Sequence, residues 1–302
     1  MKLLKLVYSI AFGFALAPFA GAMIASVNGT AGHNTDPTKD FQGNALSEEI
    51  TEIWNRTVTL GAGTGTYLGN FGGTRWVLTA AHVSSVSGTI KTADGRSLVL
   101  GAGGEVYTGF KNADGTSVDL KLFSVSATGD AADYLDALGN IELYTGDLYT
   151  NTPLYCVGTG YNLSLGGGIS SGSRVKQWGE FCADGIQEVE EGGRKTLSFV
   201  EVFSSEAEKS IQCGKYDSGS GVFVKNGENW EVVGVAITVG ANSENNPTVG
   251  YVETPNSICV TNFTFLPEYA SQIYAIIPEP SVFGLLAGIF ALGFAGTRRK
   301  RK

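Results

Sequence analysis

The chain has 302 residues, 43% of them apolar and only 17% charged, with 42 glycines and 8 prolines spread through its middle. This is enough material for a core, and it excludes a single low-complexity tract. The formal net charge is −8, and the body is more acidic still, because seven of the 21 basic side chains but only one of the 29 acidic ones lie in the two ends. Such a charge argues against nucleic acid as a partner.

In chain order, residues 1–25 carry Lys2 and Lys5, an apolar run from Leu6 to Phe19 and the small residues Ala20-Gly21-Ala22. A basic start, a short apolar stretch and a small-residue exit describe a secretory signal peptide, with cleavage expected after Ala22 or Ala25. Residues 26–50 are polar and aperiodic, which predicts a flexible leader or propeptide. From Thr57 the texture changes to short runs rich in Val, Ile, Thr, Tyr and Phe. Strands are expected at Thr57–Leu60, Thr64–Leu68, Arg75–Thr79, Ser97–Leu100, Glu105–Thr108, Leu120–Val125, Pro153–Gly158, Thr196–Phe203, Gly221–Val224 and Trp230–Ile237. Turns such as Ala93-Asp94-Gly95 and Lys225-Asn226-Gly227 separate them. One helix, Pro267–Ala275, closes the body, so residues 51–277 read as an all-β barrel or sandwich unit.

The last segment, 278–302, has three parts: Pro278-Glu279-Pro280, an apolar run from Ser281 to Thr297, and the basic cluster Arg298 to Lys302. The run of about seventeen residues is at the short limit for spanning a bilayer. The basic cluster would stay on the cytoplasmic side. This end resembles the PEP-CTERM sorting signal of Gram-negative bacteria. The resemblance implies export across the inner membrane, transient anchoring through this helix, an exosortase-type processing enzyme as partner, and a final place at the cell surface, in the matrix or in the medium. Four cysteines, Cys156, Cys182, Cys213 and Cys259, suggest two disulfides in an exported chain. Of the three possible pairings, Cys156–Cys182 with Cys213–Cys259 is favoured.

Three segments carry chemistry. Of the two histidines, His33 lies in the polar leader and His82 ends the run Trp76-Val77-Leu78-Thr79-Ala80-Ala81-His82. The two alanines let the backbone pack closely behind the imidazole. Val118-Asp119-Leu120-Lys121-Leu122-Phe123 sets one carboxylate at the head of an apolar strand, where a buried acid needs a hydrogen-bonding partner such as an imidazole N–H. Cys213-Gly214-Lys215-Tyr216-Asp217-Ser218-Gly219-Ser220-Gly221 is a turn of small residues around a serine. Such a turn allows close approach of a carbonyl and lets amide groups point at one spot. One body histidine and four scattered cysteines offer no zinc set, and no cofactor is expected.

Taken in the order His, Asp, Ser, these segments resemble the chymotrypsin/trypsin family of serine peptidases. The resemblance runs from about Thr57 to Ala275. Gly158-Thr159-Gly160-Tyr161 and Val233-Gly234-Val235-Ala236-Ile237 support it. It implies two six-stranded antiparallel β-barrels and a triad of His82, Asp119 and Ser218 that hydrolyses peptide bonds in protein or peptide substrates through an acyl-enzyme. It also implies an oxyanion hole from the amides of Tyr216 and Ser218, and substrate contacts from Gln212, Thr238, Val239 and Gly240. The chain departs from the family where Tyr216 stands in place of a glycine and Ser220-Gly221 in place of Gly-Pro. No basic residue followed by Ile/Val-x-Gly-Gly marks an activation site. The specificity position falls on Ile211 or Gln212, neither acidic. The intact triad predicts an active endopeptidase, whereas Tyr216 favours a catalytically impaired relative acting as a binding module.

Overall fold

The computed structural model describes residues 23–46, 48–84, 90–100, 106–164, 168–204, 206–242 and 258–277. Both expected targeting segments lie almost wholly outside this set. Among the described residues no helix is long and apolar enough to cross a membrane.

The described residues open with a hairpin, β1 (Ile24–Val27) and β2 (Thr30–Gly32). The first barrel follows, from β3 (Thr57–Leu60), β4 (Gly63–Phe71), β5 (Thr74–Thr79), β6 (Ile90–Lys91), β7 (Ser97–Leu100), β8 (Val106–Tyr107) and β9 (Lys121–Ser126). The second half comprises β10 (Glu142–Leu143), β11 (Leu154–Gly158), β12 (Tyr161–Ser164), β13 (Gly168–Arg174), β14 (Gln177–Phe181), β15 (Gly185–Glu191) and β16 (Arg194–Phe203). It is completed by β17 (Lys209–Gln212), β18 (Gly221–Asn226), β19 (Asn229–Asn242) and β20 (Ile258–Thr264).

The first sheet runs β5-β4-β3-β6-β7-β9, and a further β5–β9 ladder closes it, so six strands form a ring with β8 attached to β9. The second sheet runs β14-β11-β18-β19-β20-β16-β15 with β10 beside β19. Among the described residues its two end strands do not pair, so it is a half-open barrel. The molecule is therefore all-β with two barrel-like sheets. Apolar side chains fill both: Val77, Leu78, Leu120, Leu122 and Phe123 are wholly buried in the first, and Phe181, Phe199 and Phe263 in the second. Those three rings stack with centroids 5.1 to 6.4 Å apart, which aligns β14, β16 and β20.

Three expectations are corrected. Residues 26–50 are not a flexible leader. Asn28 and Gly29 take positive φ (50° and 72°) in a tight turn that folds β2 onto β1, and β1 zips along β17 from Ile24↔Gln212 to Val27↔Lys209. Cleavage after Ala25 would cut this strand, whereas cleavage after Ala22 leaves it whole. Second, the terminal helix is split into a 3₁₀ turn (Leu266–Glu268) and α3 (Ala270–Tyr274), and two more short helices occur, α1 (Thr51–Asn55) and α2 (Asp130–Ala137). Residues 130–137 hide a helix because only Ala131 and Leu135, one turn apart, are buried. Third, the expected disulfides are not formed. Cys156, Cys182 and Cys213 are free thiols, and the two sulfurs brought together are those of Cys156 and Cys213.

Candidate functional site

The ladder that closes the first barrel also builds the site. β5 and β9 run antiparallel in register from Arg75↔Val125 to Thr79↔Lys121. The end of β5 therefore lies beside the start of β9, and Ala80-Ala81-His82 leaves the sheet next to Val118-Asp119-Leu120. Ala80 and Ala81 are buried, at 0% and 7% exposure, as the close packing behind the imidazole requires. The His82 main-chain N–H donates to Asp119 Oδ1 at 2.8 Å, and His82 Nδ1 lies 2.6 Å from Asp119 Oδ2. Asp119 is 2% exposed, so its carboxylate holds the ring in one orientation and leaves Nε2 facing outward.

The second half reaches across to support this pair. Asp119 N–H donates to Thr196 Oγ1 on β16 at 2.9 Å, and Lys195 N–H donates to Ser117 O at 2.9 Å. These bonds dock the β15–β16 hairpin against the acid. Its tip brings Glu191 close, so that one ligand atom each from His82, Asp119 and Glu191 lies within 4.8 Å of the others. Burial lowers the His82 pKa, but the Asp119 hydrogen bond and the charges of Asp119 and Glu191 outweigh it and hold the imidazole above its usual value. Burial raises the Glu191 carboxyl, and its Oε2 is buried without a hydrogen-bond partner. The three groups are of metal-ligating type, although Nδ1 is already committed to Asp119.

Ser218 sits at the head of the loop between β17 and β18. The loop is fixed by Asp217, which is fully buried and accepts N–H bonds from Gly160 (2.8 Å) and Gly214 (2.9 Å). Burial pushes its carboxyl up to about 7, against the amides of Gly214, Gly160 and Met23 and the charge of Arg174. Gly158 and Gly160 must lack side chains, because a Cβ there would meet Asp217 oxygens at 2.2 and 2.7 Å. Gly219 has φ 86°, and a Cβ would strike Thr64 O at 2.0 Å. Ser220 is wholly buried, which leaves Ser218 as the accessible hydroxyl of the loop.

The expected oxyanion residues take distinct conformations. Tyr216 has φ 72°, the left-handed region that a glycine adopts freely and a tyrosine does not. The strain is held by neighbours. Thr64 Oγ1 donates to Tyr216 O at 2.7 Å, and the Arg174 guanidinium lies 5.0 Å from the Tyr216 ring centre. Arg174 itself donates to the carbonyls of Leu60, Gly63 and Thr159, pinning both barrels to the loop. Among the described residues the Ser218 amide makes no hydrogen bond, so it is free to donate to an incoming oxygen.

His82 and Ser218 converge on one short stretch of β4. Thr64 N–H donates to Ser218 O at 2.8 Å, and a Cβ at Gly63 would sit 2.9 Å from Ser218 O and 2.8 Å from Val83, the residue after His82. Among the described residues no hydrogen bond joins Ser218 Oγ to His82. Beside Ser218 a shallow cavity is lined by Cys213, Gly214, Ala236, Ile237, Thr238 and Val239. Of the expected substrate contacts, Thr238 and Val239 line it. Gln212 is 3% exposed and is not among the lining residues, and Gly240 continues β19 opposite Val260. The residues that local sequence did not reveal are Thr64, Arg174, Glu191 and Thr196, each delivered by a strand distant in the chain.

The fold is all-β, with one closed and one half-open barrel-like sheet. No family model matches the chain, and no curated relative matches it. Among solved structures it is similar to the NS6 protease from murine norovirus 1, at 16% identity and a TM-score of 0.41, with 71% of this chain and 92% of that chain covered. It is also similar to neuropsin, a serine protease expressed in the limbic system of mouse brain, at 13% identity and a TM-score of 0.46, with 74% and 95% covered.

Proposed function

We propose that the protein is an exported serine endopeptidase. The observation that carries this reading is the buried carboxylate of Asp119, which accepts both the main-chain N–H and the Nδ1–H of His82. It fixes the tautomer whose Nε2 can take a proton. In this reading the Ser218 hydroxyl meets Nε2 in the substrate complex. Oγ then attacks the substrate carbonyl, His82 holds the proton and returns it to the leaving amine, and water releases the acyl group. The free Ser218 amide and the Tyr216 amide hold the developing oxyanion. The substrate is a polypeptide, laid along β19 with one side chain in the cavity walled by Thr238 and Val239. Export follows from the expected signal peptide of residues 1–25, and release to the surface or matrix from the sorting-type tail acted on by an exosortase-type enzyme.

A second reading, a binding module with an impaired site, is favoured by the unformed Ser218–His82 bond and by the strained Tyr216. A fluorophosphonate probe separates the two. Covalent labelling that is abolished in Ser218→Ala supports the peptidase. Failure to label the folded protein, with its melting transition intact, supports the module.

A further inference from the structure

Cys156 and Cys213 are 57 residues apart in the chain, yet their sulfurs lie 4.0 Å apart. Both are buried, at 0% and 1% exposure. Cys156 is in the middle of β11, between Gly179 of β14 and Val222 of β18. Cys213 follows β17 and lines the cavity beside Ser218, and its N–H donates to Thr261 Oγ1 at 3.1 Å. Cys182 is only half-buried. The spacing of the two buried sulfurs exceeds the disulfide length of about 2.05 Å by only about 2 Å.

The position of the pair gives such a bond a purpose. Gly160 lies four residues after Cys156 and Gly214 directly after Cys213, and these two glycines donate to opposite oxygens of Asp217. A bond between the sulfurs covalently ties the strand leading to Gly160 to the segment leading to Gly214, and so holds the two donors to Asp217 at a fixed spacing.

We propose that Cys156 and Cys213 are joined by a disulfide in the oxidised, exported protein, and that this bond fixes the base of the loop carrying Ser218. Its formation removes two protons and two electrons from the two thiols. The acceptor is a disulfide, either of a thiol oxidoreductase or of oxidised glutathione, which leaves as two thiols after a mixed-disulfide intermediate. Burial, together with Cys156, Asp217 and Glu201, pushes the Cys213 thiol up, so little thiolate is present once the core closes. Exchange therefore takes place during folding, and the finished bond is shielded from reductants.

The test uses the full chain folded with a reduced/oxidised glutathione pair, denatured without reductant, alkylated and digested. A cross-linked peptide holding Cys156 and Cys213, with Cys182 alkylated, is expected. Alkylation of both Cys156 and Cys213, or a link from either to another cysteine, overturns the proposal. As a second measurement, protein unfolded, reduced and refolded without oxidant melts about 10 °C lower than the oxidised form. In the Cys156→Ala/Cys213→Ala variant the two treatments give the same melting temperature. Equal melting of oxidised and reduced wild-type protein also overturns the proposal. Neither measurement needs catalysis, so a protein inert to fluorophosphonate still tests the bond, and the bond can fail while the peptidase reading stands.

Discussion

Replacing Glu191 by glutamine removes one charge from beside the His82 imidazole and leaves the side-chain shape nearly unchanged. The ligand atoms of Glu191 and His82 lie within 4.8 Å. Two unit charges at that distance interact by about 0.9 kcal/mol in a water-like medium and by about 3.5 kcal/mol at an effective dielectric of about 20. The His82 side chain is 30% exposed, so the lower figure governs, and it corresponds to about 0.6 of a pH unit. The imidazolium loses a countercharge, so the His82 pKa falls. Removing the carboxylate also leaves the Arg194 charge, which already opposes protonation of the ring, less compensated, and this acts in the same direction. Glu191→Gln should therefore move the acid limb of fluorophosphonate inactivation to lower pH by at least about half a unit. NMR titration of the ring protons gives the same number directly, because the chain has only two histidines and a His33→Gln control assigns them. An unchanged or raised His82 pKa would refute the reasoning that Glu191 acts on the imidazole as an ionised group.

Asp119→Asn should keep the fold but present the wrong tautomer, reducing the rate of probe acylation by about 10⁴, as expected for a triad acid. Burial pushes the Glu201 carboxyl up to about 8. A raised folded-state pKa stabilises the fold fully below the unfolded value of 4.5 and loses that contribution as pH rises through about 8. The melting temperature of the wild type should accordingly fall between pH 6 and 9, and that of Glu201→Gln, whose amide oxygen can still accept from Ser210, should fall less over the same range. Tyr216→Gly relieves a left-handed strain of about 1–2 kcal/mol but loses the Arg174 stacking and adds backbone entropy to the unfolded chain, so its melting should stay within about 1 kcal/mol of wild type. Tyr216→Val, β-branched at φ 72°, should be clearly destabilised, and calorimetry on the two variants together checks the strain.

Much of the candidate site was legible because its segments are contiguous. Residues 76–82 announce a strand that ends in a histidine, and the small residues of 213–221 announce a tight turn. What escaped notice was brought in by long-range pairing. Thr196 and Glu191 belong to a hairpin whose own sequence says only that it alternates, and nothing local shows that it reaches the other barrel. Arg174 ends a strand in a glycine-rich stretch, and its worth lies in three carbonyls from two barrels. The leader was misread because its polarity matches disorder, whereas β1 earns its order by pairing with β17, a partner about 185 residues away in the chain. The cysteine pairing failed for the same reason, since spacing does not report which strands become neighbours.

Met23 has a consequence for handling the protein. Its backbone amide points at Asp217 in the interior, and the strand that follows is stitched into the sheet. A purification tag fused directly ahead of this residue would have to thread past the cradle beneath Ser218. Trimming the leader after Ala22 would replace a neutral amide with a positive amine against an acid that burial holds near pH 7. Where an export enzyme makes its cut would then help decide whether the hydroxyl 195 residues downstream is properly presented.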